Sequence, residues 1–318
     1  MLRKRVPSLV FVRGILLVLL LCLPILARTQ DAVTMLRAGG VKSATADRST
    51  TATDRQPFDF ANRLIVFTTE IDDTMGTFVL DTGAPTLLVN HRGASGADPL
   101  TGVSAGGDLT VTERYVRSFT LLGKTRRKNW ALGADLRPFE ERLDRPIDGF
   151  VGHDLLSGGE LRIDYANHAF QLLKSVRRPL HAQRAPDHTF NVSFSDHLPV
   201  VTVRVGKKKL RLALDTGASV NVLSTAHRDL TLSLPKATEI QGLDGTPILL
   251  PQAQLTEVVN LPNLHQSPFA LMNMDHLQSA GGEPIDGILG SGYLANFTIG
   301  IDYPRGKLYL WLPDLASK

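Results

Sequence analysis

The chain has 318 residues, of which 43% are hydrophobic and 21% are charged. This composition is typical of a globular protein and excludes a disordered, collagen-like or coiled-coil chain. The formal net charge is +4, and all of this excess lies in residues 1–27, where the basic side chains have no acidic counterpart. Because the rest of the chain is formally neutral, the charge does not indicate a nucleic-acid partner.

Residues 1–27 have the pattern of a secretion signal. A basic segment, Arg3-Lys4-Arg5, precedes residues 14–27, which contain no charged side chain. This apolar run is shorter than the about 20 residues that span a membrane as a helix, and it fits a signal-peptide core. The sequence therefore predicts cleavage after Ala27 and export to the periplasm or the cell exterior. An uncleaved segment 14–27 that tethers the protein to a membrane is the alternative.

The sequence offers few side chains for binding a metal ion or forming a covalent intermediate. The single cysteine, Cys22, lies inside the predicted signal. The mature chain would then have no thiol for a disulfide, a nucleophile or a metal site. The nine histidines include no His-Glu-x-x-His pair and no tight cluster. We therefore expect no metal and no other cofactor.

After the signal, the chain divides into an arm and two halves. Residues 28–57 lack a core pattern and are interpreted as a flexible arm or a short pro-segment. From Phe58 onward, short β-type runs alternate with glycine and proline, and no long amphipathic helix is evident. The sequence predicts a mostly β protein with an N-terminal lobe over 58–176, a linker over 177–188 and a C-terminal lobe over 189–318.

An internal repeat supports this division. Three sequence blocks of the first half recur in the second half, in the same order and at nearly constant spacing. The pairs are Thr77–Ala84 with Arg211–Ala218, Ile147–Gly152 with Ile285–Gly290, and Ile163–Tyr165 with Ile301–Tyr303. Three ordered matches are difficult to obtain by chance, so we expect the two halves to have similar folds.

The repeated motif that can carry chemistry is Asp-Thr-Gly, at Asp81-Thr82-Gly83 and at Asp215-Thr216-Gly217. Each copy follows an apolar β-type run, which delivers the aspartate to the end of a strand. Glycine permits a sharp turn and the close approach of another backbone, and the threonine hydroxyl can hold the turn by a hydrogen bond. One such motif is usually an ordinary turn, but two copies at matching places in a repeat indicate a paired carboxylate site.

With these motifs the chain resembles the aspartic proteases, specifically the retropepsin-like branch found in exported bacterial proteins. The resemblance covers residues 60–312 and rests on Leu80–Ala84 with Phe150–Gly152 and on Leu214–Ala218 with Ile288–Gly290. It implies two retropepsin-like closed β-barrel lobes, related by a pseudo-twofold axis, in one monomeric chain. It also implies an aspartic endopeptidase that cleaves peptide or protein substrates without a cofactor.

The resemblance implies a role for each residue of these motifs. Asp81 and Asp215 would share one proton and activate a water molecule between them. Their loops would be supported by Thr82, Gly83, Thr216 and Gly217, and Gly152 and Gly290 would pack under those loops. The tips of two flaps would contain Gly106, Gly107, Gly242 and Gly245. Neither tip contains the tyrosine that a pepsin flap would have.

Other functions compete with this interpretation. Residues 102–106 match the Gly-x-Ser-x-Gly nucleophile elbow of serine hydrolases, but a β-type run follows them where the elbow requires a helix. A non-catalytic peptide-binding module or pseudoprotease with the same cleft is a second alternative. The presence of both aspartates favours the enzyme, because a close carboxylate pair costs stability that a binding module has no need to lose. Pairing of each lobe with its copy in another chain is also open.

Two charge runs and two tryptophans are given structural roles. Lys124–Lys128 and Lys207–Lys209 are interpreted as solvated turns. Trp130 and Trp311 are interpreted as core residues.

Overall fold

The computed structural model describes residues 16–17, 55–92, 100–104, 107–278 and 283–313, and most of their regular structure is β-strand. The prediction of a mostly β protein is therefore confirmed. The α-helices are short and comprise α1 (Arg137–Leu143), α2 (His153–Leu156) and α3 (Ser291–Leu294). No helix within the described residues is long and apolar enough to cross a membrane. Nearly all of the predicted signal and arm lies outside these residues.

The strands are numbered in chain order. Those before the predicted linker are β1 (Leu16–Leu17), β2 (Gln56–Pro57), β3 (Asp59–Ala61), β4 (Leu64–Ile71), β5 (Thr74–Leu80), β6 (Leu88–Asn90), β7 (Leu100–Ser104), β8 (Gly107–Leu121), β9 (Lys124–Ala134), β10 (Gly149–Val151), β11 (Glu160–Asp164) and β12 (Ala169–Leu173). The others are β13 (His188–Ser195), β14 (Leu198–Val205), β15 (Lys208–Leu214), β16 (Asn221–Ser224), β17 (Thr231–Gln241), β18 (Pro247–Leu255), β19 (Pro268–Met272), β20 (Gly287–Leu289), β21 (Thr298–Asp302) and β22 (Lys307–Trp311). Short 3-10 helices span Thr225–Leu230, Leu264–Gln266 and Asp275–Leu277.

The two halves contain a similar central strand arrangement. In the first half β4, β5, β10, β6 and β9 are neighbours in that order, and in the second half β14, β15, β20, β16 and β19 are neighbours. Strand β5 runs parallel to β10, and β15 runs parallel to β20. Because parallel strands end at the same edge of a sheet, each Asp-Thr-Gly motif lies beside the glycine that follows its partner strand.

The central strands are apolar because both of their faces are covered. Strand β5 ends in Phe78-Val79-Leu80, and β15 ends in Leu212-Ala213-Leu214, and all of these side chains are buried. A strand that is covered on both sides has a continuous apolar run instead of an alternating one. Burial of these residues fixes the position at which each strand ends and the aspartate begins the turn.

A continuous sheet joins the two halves. Strand β11 of the first half pairs antiparallel with β21 of the second half, and Arg162 lies opposite Gly300 in this pairing. Arg162 also forms a buried ion pair with Glu160 at the same junction. One hydrophobic cluster crosses the junction and includes Ile163 and Ile301. The predicted boundaries of the arm, the lobes and the linker stay predictions. Strand β2 occupies the last two residues of the predicted arm.

The two tryptophans differ from each other. Trp311 on β22 is 2% exposed, so its prediction as a core residue is confirmed. The same prediction for Trp130 is wrong, because its side chain is 67% exposed. Trp130 lies on β9 opposite Tyr115 of β8, and both side chains are exposed.

The two charge runs also differ. Of the predicted turn Lys207–Lys209, only Lys207 lies in the turn between β14 and β15, and Lys208 and Lys209 begin β15. Residues 124–128 form the first part of β9 instead of a turn. They are nevertheless exposed along the strand.

Candidate active site

The two aspartates begin their loops at corresponding strand ends. The backbone N–H of Asp81 donates to the carbonyl oxygen of Val151 at 3.0 Å, and that of Asp215 donates to Leu289 at the same distance. These bonds continue the parallel pairings of β5 with β10 and of β15 with β20. Each aspartate is therefore held by its neighbouring strand before the chain turns away.

Each aspartate stabilises its own turn. Oδ1 of Asp81 accepts hydrogen bonds from the backbone N–H groups of Gly83 at 2.7 Å and Ala84 at 3.1 Å. Oδ1 of Asp215 accepts one from the N–H of Gly217 at 2.8 Å. An aspartate that bonds to the backbone two residues ahead is a common means of closing a turn. Oδ1 of each aspartate therefore stabilises the turn of its own loop.

The glycines allow the two carboxyl groups to meet. A Cβ atom added to Gly83 would lie 2.7 Å from Oδ1 and Oδ2 of Asp215. A Cβ atom added to Gly217 would lie 2.4 Å from Oδ2 of Asp81. Neither contact leaves room for a side chain, so each loop requires glycine where the carboxyl group of the other half approaches. Asp81 and Asp215 are therefore side by side.

The threonines lock the two loops together by reciprocal hydrogen bonds. Oγ1 of Thr82 donates to the carbonyl oxygen of Leu214 at 2.8 Å and accepts from the N–H of Thr216 at 3.0 Å. Oγ1 of Thr216 donates to Leu80 at 2.8 Å and accepts from the N–H of Thr82 at 3.1 Å. All of these groups are buried. The bonds fix the distance and the relative height of the loops.

Gly152 and Gly290 lie against the same loops. A Cβ atom on Gly152 would lie 2.7 Å from the carbonyl oxygen of Ala84, and one on Gly290 would lie 2.5 Å from that of Ala218. The residue after each glycine donates its N–H to that same carbonyl, from His153 at 2.9 Å and from Ser291 at 2.8 Å. Only a residue without a side chain permits this approach of α2 and α3 to the loops.

Burial governs the electrostatics of the pair. Loss of hydration raises the pKa of Asp215 to about 6. It also raises the pKa of Asp81 well above its usual value, and the neighbouring carboxyl group of Asp215 raises it further. Two buried carboxyl groups that are direct neighbours hold one proton between them more tightly than an isolated aspartate would. The structure thus places two buried carboxyl groups with raised pKa values side by side.

Two histidines near the Asp81 loop were not predicted to have a role. His197 lies in the turn between β13 and β14 of the second half, and its Nε2 lies 2.8 Å from the carbonyl oxygen of Gly83. Because a carbonyl oxygen only accepts, Nε2 carries the proton and donates. The ring of His153 lies 6.3 Å from that of His197 and 5.2 Å from that of Tyr303. Burial lowers the pKa of both histidines. No pattern in the sequence singles out either residue.

The predicted flap tips lie in two hairpins. Gly106 is outside the described residues, and Gly107 begins β8 opposite Ser104 of β7, with a φ angle of 136°. Gly242 and Gly245 lie in the connection between β17 and β18. Strand β8 follows the Gly-x-Ser-x-Gly match of residues 102–106, so the helix that a nucleophile elbow requires does not follow.

The second hairpin contacts the first half of the chain. Leu243 at its tip is fully buried in a hydrophobic cluster that otherwise consists of first-half residues. Asp244 accepts a hydrogen bond from Ser104 of the first hairpin at 3.0 Å. Arg142 of α1 pairs with Glu239 of β17 at 3.0 Å. The hydrogen bond between Ser104 and Asp244 joins the two hairpins, and the other two contacts hold the second hairpin against the first half. The role of the glycines as flap residues stays a prediction.

A comparison with protein families agrees with this geometry in the second half of the chain. The family model for aspartyl proteases matches residues 201–293, a segment that contains Asp215–Ala218 and Ile288–Gly290. The match supports an aspartyl protease family. It therefore supports a protease-type function, peptide hydrolysis and peptide or protein substrates in general. No curated protein matches the chain. Asp81 and its loop lie outside the matched segment.

Proposed function

We propose that the protein is an aspartic endopeptidase with a single active site formed by Asp81 and Asp215. The observation that carries this proposal is the reciprocal approach of each carboxyl group to the glycine of the other loop. An ordinary pair of turns has no reason to bury two carboxyl groups together, since their burial raises both pKa values and costs stability.

The arrangement is suited to activating water. Oδ1 of Asp81 is occupied by backbone N–H groups. Oδ2 is buried, and apart from the neighbouring carboxyl group it meets no hydrogen-bond donor in the described part of the chain. The ionised carboxylate accepts a proton from a water molecule placed between the two aspartates, and the protonated one donates to the peptide carbonyl oxygen as water attacks. The product of this step is a tetrahedral diol, and no covalent enzyme intermediate forms.

We propose further that the halves are two retropepsin-like lobes related by a pseudo-twofold axis. The reciprocal threonine bonds and the matching central strand orders support this symmetry. In the pairing of β11 with β21, Arg162 lies opposite Gly300, the residue that corresponds to it in the repeat. A single chain then supplies both aspartates, which favours an active monomer. We also propose that the protein is exported, because residues 1–27 have the pattern of a secretion signal.

The decisive experiment measures cleavage of a denatured protein mixture between pH 3 and 7 by the wild-type protein, Asp81→Asn and Asp215→Asn. We expect each substitution to lower the rate roughly 10³-fold, because water activation requires one ionised and one protonated carboxyl group. Asp275→Asn is the control, since this aspartate is exposed. The wild-type rate should be unchanged by EDTA and abolished by a transition-state inhibitor of aspartic proteases.

Full activity in either variant would contradict a single shared site. A wild-type protein that binds peptides or the inhibitor without cleaving them would instead identify the non-catalytic binding module.

A further inference from the structure

The β8–β9 hairpin carries a concentration of positive charge. Its basic residues are Arg114, Arg117, Lys124, Arg126, Arg127 and Lys128, and Glu113 is the only acidic residue over 113–130. Arg117 lies 3.9 Å from Asp72 and from Asp73, and Arg126 donates to the carbonyl oxygen of Asp154. The remaining basic side chains are exposed and form no ion pair within the described residues. A local positive surface therefore exists on a chain that is formally neutral outside its first 27 residues.

An exposed aromatic pair lies on the same hairpin. Tyr115 and Trp130 are opposite each other on β8 and β9, and their rings meet edge to face with centroids 5.7 Å apart. Tyr115 is 52% exposed and Trp130 is 67% exposed. Large aromatic side chains are normally among the more buried residues of a protein. Their exposure beside unpaired cations indicates a surface that is covered by a partner.

The second half shows that the fold does not require these residues. The pair that corresponds to Tyr115 and Trp130 consists of Gln254 on β18 and Pro268 on β19. The chain between these strands, residues 256–267, contains no lysine or arginine. The first half has the long basic hairpin in that place. Its aromatic and basic side chains are therefore an addition to the shared strand arrangement.

We propose that this hairpin surface docks on an anionic phospholipid membrane. Lysine and arginine are attracted to acidic lipid headgroups, and tryptophan and tyrosine insert their rings at the boundary between headgroups and acyl chains. The two features lie together here, whereas an acidic protein or polymer would recognise the charges alone. The secretion signal proposed for residues 1–27 would bring the newly made chain to a membrane, whether or not the signal is later removed.

The proposed membrane contact and the candidate flap tip lie at different places on β8. Tyr115 lies about 25 Å along β8 from Gly107, where the first hairpin turns. The aromatic part of the proposed membrane contact is thus near the middle of the strand that begins at the candidate flap. The inference does not depend on peptide cleavage.

The fluorescence of Trp130 offers a direct test with the full-length protein. The chain has two tryptophans, and Trp311 is buried, so a change on adding vesicles reports on Trp130. Residues 1–27 contain no tryptophan, so their insertion into lipid does not produce this signal. With vesicles containing phosphatidylglycerol at low salt, we expect the fluorescence emission of Trp130 to shift to shorter wavelength. This shift should be absent with vesicles of phosphatidylcholine alone and should be reversed at 0.5 M NaCl.

Substitutions separate the two parts of the surface. Lys124→Gln with Arg127→Gln should weaken binding roughly 25-fold, about fivefold for each cation removed. Trp130→Ser should remove the blue shift and weaken co-sedimentation with vesicles. Controls outside the surface are Leu249→Ser, an exposed apolar residue on β18, and Lys207→Gln with Lys209→Gln, an exposed basic pair. Both controls should bind vesicles as the wild-type protein does.

Several results would overturn the proposal. One is that the Lys124/Arg127 double variant binds anionic vesicles as tightly as the wild-type protein does. Another is that the fluorescence spectrum of Trp130 does not change when anionic vesicles are added. An equal shift with polyglutamate or duplex DNA would identify a general anion surface instead of a lipid surface. A shift that depends on protein concentration without lipid would identify an interface between copies of the chain. Near-ultraviolet circular dichroism checks that each variant is folded.

Discussion

The Asp81 loop (residues 81–84) and the Asp215 loop (residues 215–218) have nearly the same internal contacts and different surroundings. In both, the aspartate accepts the N–H of its glycine, and the threonine bonds across to the other loop. Against the Asp81 loop lie two histidines, His197 and His153. By the repeat, the corresponding positions at the Asp215 loop are Arg63 and Ser291. The geometry of the pair is thus specified by the motif itself and tolerates different side chains around it.

This comparison predicts that the two loops respond equally to changes inside the motif. Gly83→Ala and Gly217→Ala each place a methyl group where the opposite carboxyl group lies, at 2.7 Å and 2.4 Å. We expect each to displace that carboxyl group and lower the cleavage rate roughly 100-fold, since misplacement of a reacting group by about 1 Å has this effect. Gly158→Ala is the control, because its added Cβ atom has no neighbour within 4 Å. A large loss from one substitution alone would contradict equal loops.

The threonine bonds predict an equal loss of stability from either side. Thr82→Val preserves shape but leaves the carbonyl oxygen of Leu214 and the N–H of Thr216 buried without their partners. Thr216→Val does the same to the opposite groups. We expect each to lower the free energy of unfolding by about 3 kcal/mol, because an unsatisfied buried group costs about 1 to 3 kcal/mol. Urea unfolding measures this loss.

The control for the threonine variants is Thr74→Val, whose hydroxyl bonds at the surface. A loss for Thr82→Val or Thr216→Val as small as that of the control would show that the cross-loop bonds do not hold the halves together.

The sequence was sufficient to predict the features that both halves share. The motif recurs, and each copy needs its own apolar strand, its own glycine at the close approach and its own glycine beneath the loop. These needs are local and leave a pattern in the sequence at each copy. The repeat predicted the paired aspartates in this way, and the resemblance to aspartic proteases implied that Gly152 and Gly290 lie under the loops. In the structure both glycines lie against the loops that carry the two aspartates.

Features that arise from contacts between the halves left no such pattern. His197 bonds to Gly83 from a turn of the other half, and one histidine in a turn looks like any surface residue. Leu243 lies in the tip that contains the predicted flap glycines Gly242 and Gly245, and it packs into the first-half core. The exposure of Trp130 depends on which elements pack over β8 and β9, and its side chain is 67% exposed. Such contacts follow from tertiary placement, which the strand pattern does not specify.

Burial of the pair predicts an unusual pH dependence of stability. The folded-state pKa of Asp215 is about 6, whereas an unfolded aspartate titrates near about 3.9. A raised pKa means that the folded state binds the proton more tightly than the unfolded state does. The protonated carboxyl group therefore contributes to the free energy of unfolding below about pH 4, and this contribution is lost as pH rises through about 6. Asp215→Asn removes the buried charge. It should therefore be more stable than the wild-type protein at pH 7, by about 3 kcal/mol.

The difference should disappear at pH 3.5, where the wild-type pair is protonated. Asp81→Asn should follow the same course, because burial and the neighbouring carboxyl group also raise its pKa. Urea unfolding at both pH values measures the difference. An equal difference at pH 3.5 and pH 7 would mean that ionisation of the pair is not its cause.

The smallest expected effect tests the difference between the two loops. His197 donates to the carbonyl oxygen of Gly83, so His197→Phe leaves that carbonyl without its donor and frees the Asp81 loop on one side. We expect kcat to fall about tenfold with little change in KM, the size expected for the loss of one buried hydrogen bond, about 1.4 kcal/mol. His197→Gln retains an N–H donor and should recover most of the rate.

Arg63→Ala is the matched control, since Arg63 occupies the corresponding turn, between β3 and β4, and lies against Gly292. Among the described residues it makes no hydrogen bond to the Asp215 loop, so its loss should change kcat less than twofold. If both substitutions had the same effect on kcat, the histidine would contribute only packing. The two loops would then be equivalent in their surroundings as well as in their motif, and the donor from His197 would not be what holds the Asp81 loop in place.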